Sequence, residues 1–177
     1  MLTGVVLAAG LADPMATPEA DKMFHKGTTG LSLTVPRGGG ETVGAIYFVS
    51  PKIAAFGELG LAWQRTTTAS EIEDVTTTTL DWAISAGVRL YTWRWYRLST
   101  YLQPAARVGE KTVPAGDDTV TTRTIGASGD LGAEVLLTQH LSLSGTIGIT
   151  LESATQRNET ATSLSSVRSA LHANFYW

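Results

Sequence analysis

The sequence predicts an all-β fold: an eight-stranded antiparallel up-and-down transmembrane β-barrel. Three observations lead there. From Lys26 onward, apolar and polar residues alternate with a period of two, the spacing at which a strand's side chains fall on opposite faces. The charged residues share one face with glycines and other small residues, while the opposite face is apolar. A water-soluble barrel or sandwich encloses its apolar face and exposes its charges. Charges on the same face as glycines suggest the reverse, a polar lumen inside an apolar exterior that meets lipid. The connections between strands also alternate, short on one side and longer on the other.

The strands follow in order. The first is expected at Lys26–Val35, with Leu31, Leu33 and Val35 outward, and the second at Thr42–Val49, with Val43, Ala45, Tyr47 and Val49 outward. The third, Ile53–Gln64, presents Ala55, Leu59, Leu61 and Trp63. The fourth, Thr79–Thr92, presents Leu80, Trp82, Ile84, Ala86, Val88 and Leu90. The fifth, Tyr96–Val108, and the sixth, Arg123–Leu137, present Leu98, Leu102, Ala106 and Val108, then Ile125, Ala127, Leu131, Ala133, Val135 and Leu137. The seventh, Leu141–Glu152, alternates most regularly: Leu141, Leu143, Ile147, Ile149 and Leu151 oppose a face of Ser, Thr, Gly and Glu. The eighth, Leu164–Trp177, carries Val167, Leu171, Ala173, Phe175 and Trp177 outward and pairs with the first, so that no sheet edge remains in lipid.

The tripeptides at 50–52, 94–96 and 138–140 are tight turns. The loops expected at 65–78, 109–122 and 153–163 are longer, and only the glycine-rich 36–41 breaks the rule. Short turns on the side of the termini and long loops on the other place both termini in the periplasm. Residues 1–16 are read as a signal-peptide remnant that lacks its basic start, and 17–25 as a periplasmic lead-in to the barrel at 26–177.

Composition narrows the function. The chain has 177 residues, a net charge of −3 and no cysteine, so it carries no basic footprint for nucleic acid and no disulfide. No run of about 18 apolar residues is present, so a membrane-spanning helix is excluded.

The span Ala45–Gln64 resembles the second hairpin of small outer-membrane barrels, and the stretch 26–177 as a whole resembles the OmpA transmembrane-domain and OmpX-like barrels. In that family a final aromatic preceded by outward apolar residues at every second position is the assembly signal. The resemblance puts that role on Trp177, Phe175, Ala173 and Leu171, and implies the barrel assembly machinery as a partner during insertion.

The candidate functional residues form three groups. Glu58, Asp81, Arg89, Arg107, Asp130, Glu134, Glu152 and Arg168 face inward at matching depths, and are expected to fill the lumen as a mutually neutralising charge network. Tyr47, Trp63, Trp82, Trp93, Trp95 and Tyr96 cluster near strand ends and sketch two interfacial aromatic belts. The acidic and basic residues of the long loops suit lipopolysaccharide or an extracellular partner.

An enzymatic reading starts from His140 and Ser142, which resemble part of the catalytic set of lipid A deacylase barrels. It is disfavoured, because His140 falls in a periplasmic turn and Ser142 points to the lumen. No catalytic residue, metal or cofactor is expected. The reading is therefore a bacterial outer-membrane barrel with a structural or surface-interaction role. A narrow pore or small-ligand barrel, a lipid hydrolase and a soluble calycin-type barrel are the alternatives.

Overall fold

The computed structural model describes residues 24–36, 41–68, 75–115, 118–156 and 159–177. It contains eight strands: β1 (Thr29–Pro36), β2 (Thr42–Ser50), β3 (Ile53–Thr68), β4 (Val75–Trp95), β5 (Leu98–Ala115), β6 (Asp118–Leu136), β7 (Leu141–Gln156) and β8 (Glu159–Tyr176). Each pairs antiparallel with the next, and β8 returns to β1 through pairs such as Leu33↔Ala173, closing the barrel. Residues 1–16 and most of 17–25 lie outside the described residues, so the leader and lead-in expected there have no structural counterpart in view.

Side-chain parity follows the sequence. On β2, Val43, Tyr47 and Val49 are exposed while Ile46 and Phe48 are buried. On β7, Leu143, Ile147 and Ile149 are exposed, with Ser142 and Ser144 buried between β6 and β8. An exposed face of Leu, Ile and Val backed by a buried polar face is the arrangement of a barrel whose solvent is lipid.

Two irregularities shift the parity. In β4 the register slips between Tyr91 and Trp93, adding Thr92 without a partner in the ladder. Tyr91 points inward before the slip and Arg94 inward beyond it, which leaves Trp95 exposed on the outside. In β8 the register slips opposite Gly148–Thr150. Leu171 is outward on one side of this slip and Leu164 on the other. The side chain of Val167, expected outward, lies outside the described ones.

The structure corrects two expectations. The first strand begins at Thr29 rather than Lys26: Gly27 adopts φ +96°, and residues 24–28 turn across the mouth of the barrel, with Gly27 N–H donating to Phe48 C=O. Phe24, expected in the lead-in, is fully buried there. The stretches 65–78, 109–122 and 153–163, expected as loops, are mostly strand. Arg65↔Thr78, Thr112↔Thr121 and Thr155↔Thr160 are cross-strand pairs, and β4 reaches 21 residues. A spanning strand needs about 9–11 residues. The hairpins therefore continue past the apolar band as a sheet of polar residues, rich in threonine, which favours strand.

Candidate functional site: a filled lower lumen and a charged upper one

The lumen divides into two halves. At the end where β1 begins and β8 finishes it is filled. Phe24 packs on Phe48 and Tyr91 at 5.2 Å each and on Tyr176 at 6.2 Å, measured between ring centroids. The Arg94 guanidinium sits 4.4 Å over the Phe24 ring and donates to Pro51 C=O. Ile46, Phe48, Phe56, Tyr91, Tyr101, Leu136 and Tyr176 complete this plug. Glycine makes room for it: the Tyr101 ring lies over Gly132, where a Cβ would overlap its edge.

Glu134 stands in the same layer and is fully buried. Its Oε2 accepts from Tyr91 Oη at 2.7 Å, and its Oε1 accepts from Tyr176 Oη at 2.6 Å, from Ser142 Oγ and from Asn174 Nδ2 at 3.3 Å. Three strands thus converge on one carboxylate carried by β6, and its donors substitute for water. Asn174 extends the network, accepting from Ser32 Oγ at 2.8 Å. Arg89 lies above it with no exposure, its Nε donating to Gln103 Oε1 at 2.8 Å and its Cζ 5.0 Å from the Tyr101 ring and 5.8 Å from the Phe56 ring. Among the described residues no atom accepts from Arg89 Nη1 or Nη2.

One level higher, Thr34 Oγ1 lies 2.8 Å from His172 Nδ1 and donates to Glu58 Oε1 at 3.2 Å, while Thr146 Oγ1 is 3.2 Å from His172 Nε2. The Glu58–His172 pair itself is 3.9 Å apart. Asp130 is buried and accepts from Ser128 Oγ at 3.3 Å.

Above this level Asp81, Ser85, Arg107 and Glu152 are half-buried rather than buried. Ser85, Arg107, Gly126 and Glu152 follow one another across β4, β5, β6 and β7, and Asp81 faces Lys111 further up. Among the described residues Asp81, Arg107 and Glu152 form no ion pair. Of the residues expected in a charge network, Arg89 and Glu134 are buried in the lower lumen, Glu58 and Asp130 are buried above them, and Asp81, Arg107 and Glu152 are half-buried higher up. Glu134 and Glu58 take hydroxyl and amide donors, and Arg89 takes Gln103 and two aromatic rings while its Nη1 and Nη2 have no acceptor among the described residues. Arg168 belongs to β8 opposite Gly148, but its side chain lies outside the described ones.

On the outside, Tyr47, Trp95 and Tyr96 at the terminus end and Trp63 at the loop end are exposed, with Trp82 and Trp93 half-buried. Trp93 and Trp95 are neighbours, their centroids 6.1 Å apart. Leu171, Phe175 and Trp177 are exposed in register on β8, with Ala173 half-buried among them. A shallow depression of about 640 Å³ lined by Leu131, Ala133, Gly145, Ile147, Ser169 and Leu171 faces outward. Facing lipid, it lies away from the polar groups of the lumen.

His140 and Ser142 do not meet. His140 Nδ1 lies 2.9 Å from Tyr176 O, and Ser142 is buried against Glu134 and Asn174. Among the described residues no three His, Asp or Glu side chains gather as a metal site.

Sequence reasoning missed the aromatic plug. The even positions Phe48 and Phe56 carried the signal, since parity turns both inward. Phe24 had none, because it precedes the first strand.

No known family model matches the chain, and no curated protein matches it in sequence. Solved structures do match in shape. One is the N-terminal β-barrel domain of Pseudomonas aeruginosa OprF, with 11% identity, a TM-score of 0.53, and 86% of this chain and 98% of that one covered. Another is a major outer membrane protein from Thermus thermophilus, with 11% identity, a TM-score of 0.56, and 86% and 100% covered. With its closed antiparallel wall, apolar exterior and polar upper lumen, the chain has the fold of the small eight-stranded outer-membrane β-barrels.

Proposed function

We propose that this chain is an integral outer-membrane barrel of a bacterium, with both termini periplasmic. It would conduct no ions, perform no catalysis and act as a structural or surface-interaction protein. The observation that carries this reading is the length of the wall. β4, β5 and β6 have 21, 18 and 19 residues, well beyond the span of a bilayer, and their excess is a paired, polar sheet rather than slack loop. A rigid sheet at the loop end suits contact with lipopolysaccharide and with an extracellular partner. Arg123 and Glu110, paired at 3.2 Å on its outer face, supply charge there. The aromatic and Glu134 layer supports the non-conducting part, because Phe24, Phe48, Tyr91, Tyr101, Glu134 and Tyr176 are all buried in it. By resemblance, the β8 ending serves as the assembly signal.

Two measurements test this. A short epitope inserted between Ala115 and Asp118 should be reached by antibody on intact cells, whereas one appended to Trp177 should require permeabilisation. In planar bilayers the refolded protein should show no single-channel steps. Steady steps would replace this reading with a pore, and an accessible C-terminal tag on intact cells would reverse the orientation.

A further inference from the structure

The end of the barrel where β8 finishes carries exposed charge of one sign. The turns at 24–28, 51–52, 96–97 and 137–140 contain Lys26, Lys52 and Arg97, all exposed, together with His25 and His140, and no acidic residue. The opposite end mixes signs, as in the Arg123–Glu110 pair. Arg97 differs from the two lysines in how it is held. Trp95↔Leu98 is the last pair of β4 and β5, so Tyr96 and Arg97 alone make the turn. Tyr96 adopts φ +56°, a conformation that glycine usually supplies in a two-residue hairpin. A tyrosine there is a strained outlier, of the kind that gathers at functional sites. Both side chains are exposed, with Arg97 Cζ 5.7 Å from the centre of the Tyr96 ring. Trp95 is exposed beside them, and tryptophan and tyrosine settle at the headgroup level of a bilayer.

The second feature is the depression in the outer wall. Ala133, Gly145 and Leu171 form one row across β6, β7 and β8. Ala133 and Gly145 are small and stand among the exposed Leu131, Ile147 and Leu171, which leaves the space of about 640 Å³. A Cβ added at Gly145 would meet nothing closer than Leu171 Cδ2, at 3.7 Å, so the space can be filled from the wall without a clash. The depression begins a short way from Arg97. Leu136 N–H donates to Arg97 C=O at 2.8 Å. From Leu136 back to Ala133 is about 10 Å at the rise of a strand. A cation at headgroup height and an apolar hollow within reach of it fit a molecule with an anionic head and an apolar chain. No acidic side chain in the four turns is placed to take an ammonium.

We propose that an anionic glycerophospholipid binds the outer wall where β5 begins and β6 ends, with its phosphate on Arg97 and one acyl chain in the depression across β6, β7 and β8. The planar guanidinium fork takes two phosphate oxygens, and the Tyr96 ring holds it in place. The acyl chain lies over Ala133 and Gly145. The inference rests on the outer-membrane reading above, and each variant's heat-dependent gel mobility reports on the barrel independently of the lipid.

The test is native mass spectrometry of protein refolded in equal parts phosphatidylethanolamine and phosphatidylglycerol and extracted in mild detergent. The wild type should retain one phosphatidylglycerol, preferred at least about tenfold over phosphatidylethanolamine, a difference of about 1.4 kcal/mol. Arg97→Gln should bring that preference close to one while still showing the folded band. Gly145→Leu, and Ala133→Leu from the neighbouring strand, should fill the depression and lose the retained lipid of either kind. Lys52→Gln and Arg123→Gln should keep both the lipid and the preference. Equal retention of the two lipids by the wild type, or an unchanged preference in folded Arg97→Gln, overturns the proposal. So does a loss in Lys52→Gln as large as in Arg97→Gln, which would mean diffuse attraction to a basic rim. Soluble glycerophosphoglycerol binding as tightly as the lipid overturns it too, because the acyl chain would then have no seat in the wall.

Discussion

Glu134 shows how much of this lumen is decided by single residues. Its carboxylate gathers donors from β4, β7 and β8, so Glu134→Ala strands two tyrosine hydroxyls, a serine and an amide in a site closed to water. Removing one partner of a buried charged network costs about 3–5 kcal/mol. A urea titration followed by tryptophan fluorescence should show the midpoint fall accordingly, and an unchanged midpoint would mean that the network contributes nothing. The outer wall responds to opposite chemistry. Ile147→Arg places a charge on the lipid face of β7 and should cost about 2–4 kcal/mol near the midplane, whereas Thr155→Arg, on the polar extension, should be nearly neutral in the same titration. The orientation of both Glu134 and Ile147 was legible in the sequence, because alternation fixes which face a residue takes. The partners of Glu134 were not legible. Tyr91 and Tyr176 reach it across 43 and 42 residues of chain, and no local pattern records such a meeting.

At the scale of elements, alternation worked wherever one face had to be apolar and lost its signal where neither did. The core of each strand was readable from Leu, Ile and Val on one parity. The outer reaches of β3 to β8 were read as loops because threonine and charge on both faces carry no period-two contrast, although the backbone pairing continues. These reaches should therefore be dispensable for the barrel. Replacing Val113–Val120 with a two-residue turn is expected to leave the heat-dependent gel shift intact and abolish only surface contacts; loss of the folded band would show that the projecting sheet supports the wall. The closing strand should behave differently. β8 pairs with both β7 and β1, and Trp177 is held to Thr29 by backbone hydrogen bonds in both directions. Deleting Trp177 should lower the membrane yield more than shortening that hairpin, and equal yields would remove the role given to the chain's ending.

Taken as a whole, the molecule is a wall with an inside and an outside set by its solvent. Eight strands enclose just enough room for side chains. Here the lower half of that room is filled by rings around a carboxylate and an arginine, and in the upper half Asp81, Ser85, Arg107 and Glu152 are half-buried. The fold class and the outward face were legible because they follow from alternation summed over eight strands. The division of the lumen was not, since it depends on Phe24 folding back into the mouth and on rings meeting across the barrel. What decides between this barrel and any water-soluble one is which face of a strand touches lipid. The chain has no cysteine, so nitroxides can be placed one at a time along β7 from Ser142 to Leu151. In bilayers, oxygen accessibility should alternate with a period of two, high at Leu143, Ile147, Ile149 and Leu151 and low at Ser142, Ser144 and Thr150. Loss of the alternation, or maxima on the serine and threonine positions, would contradict the lipid-facing wall.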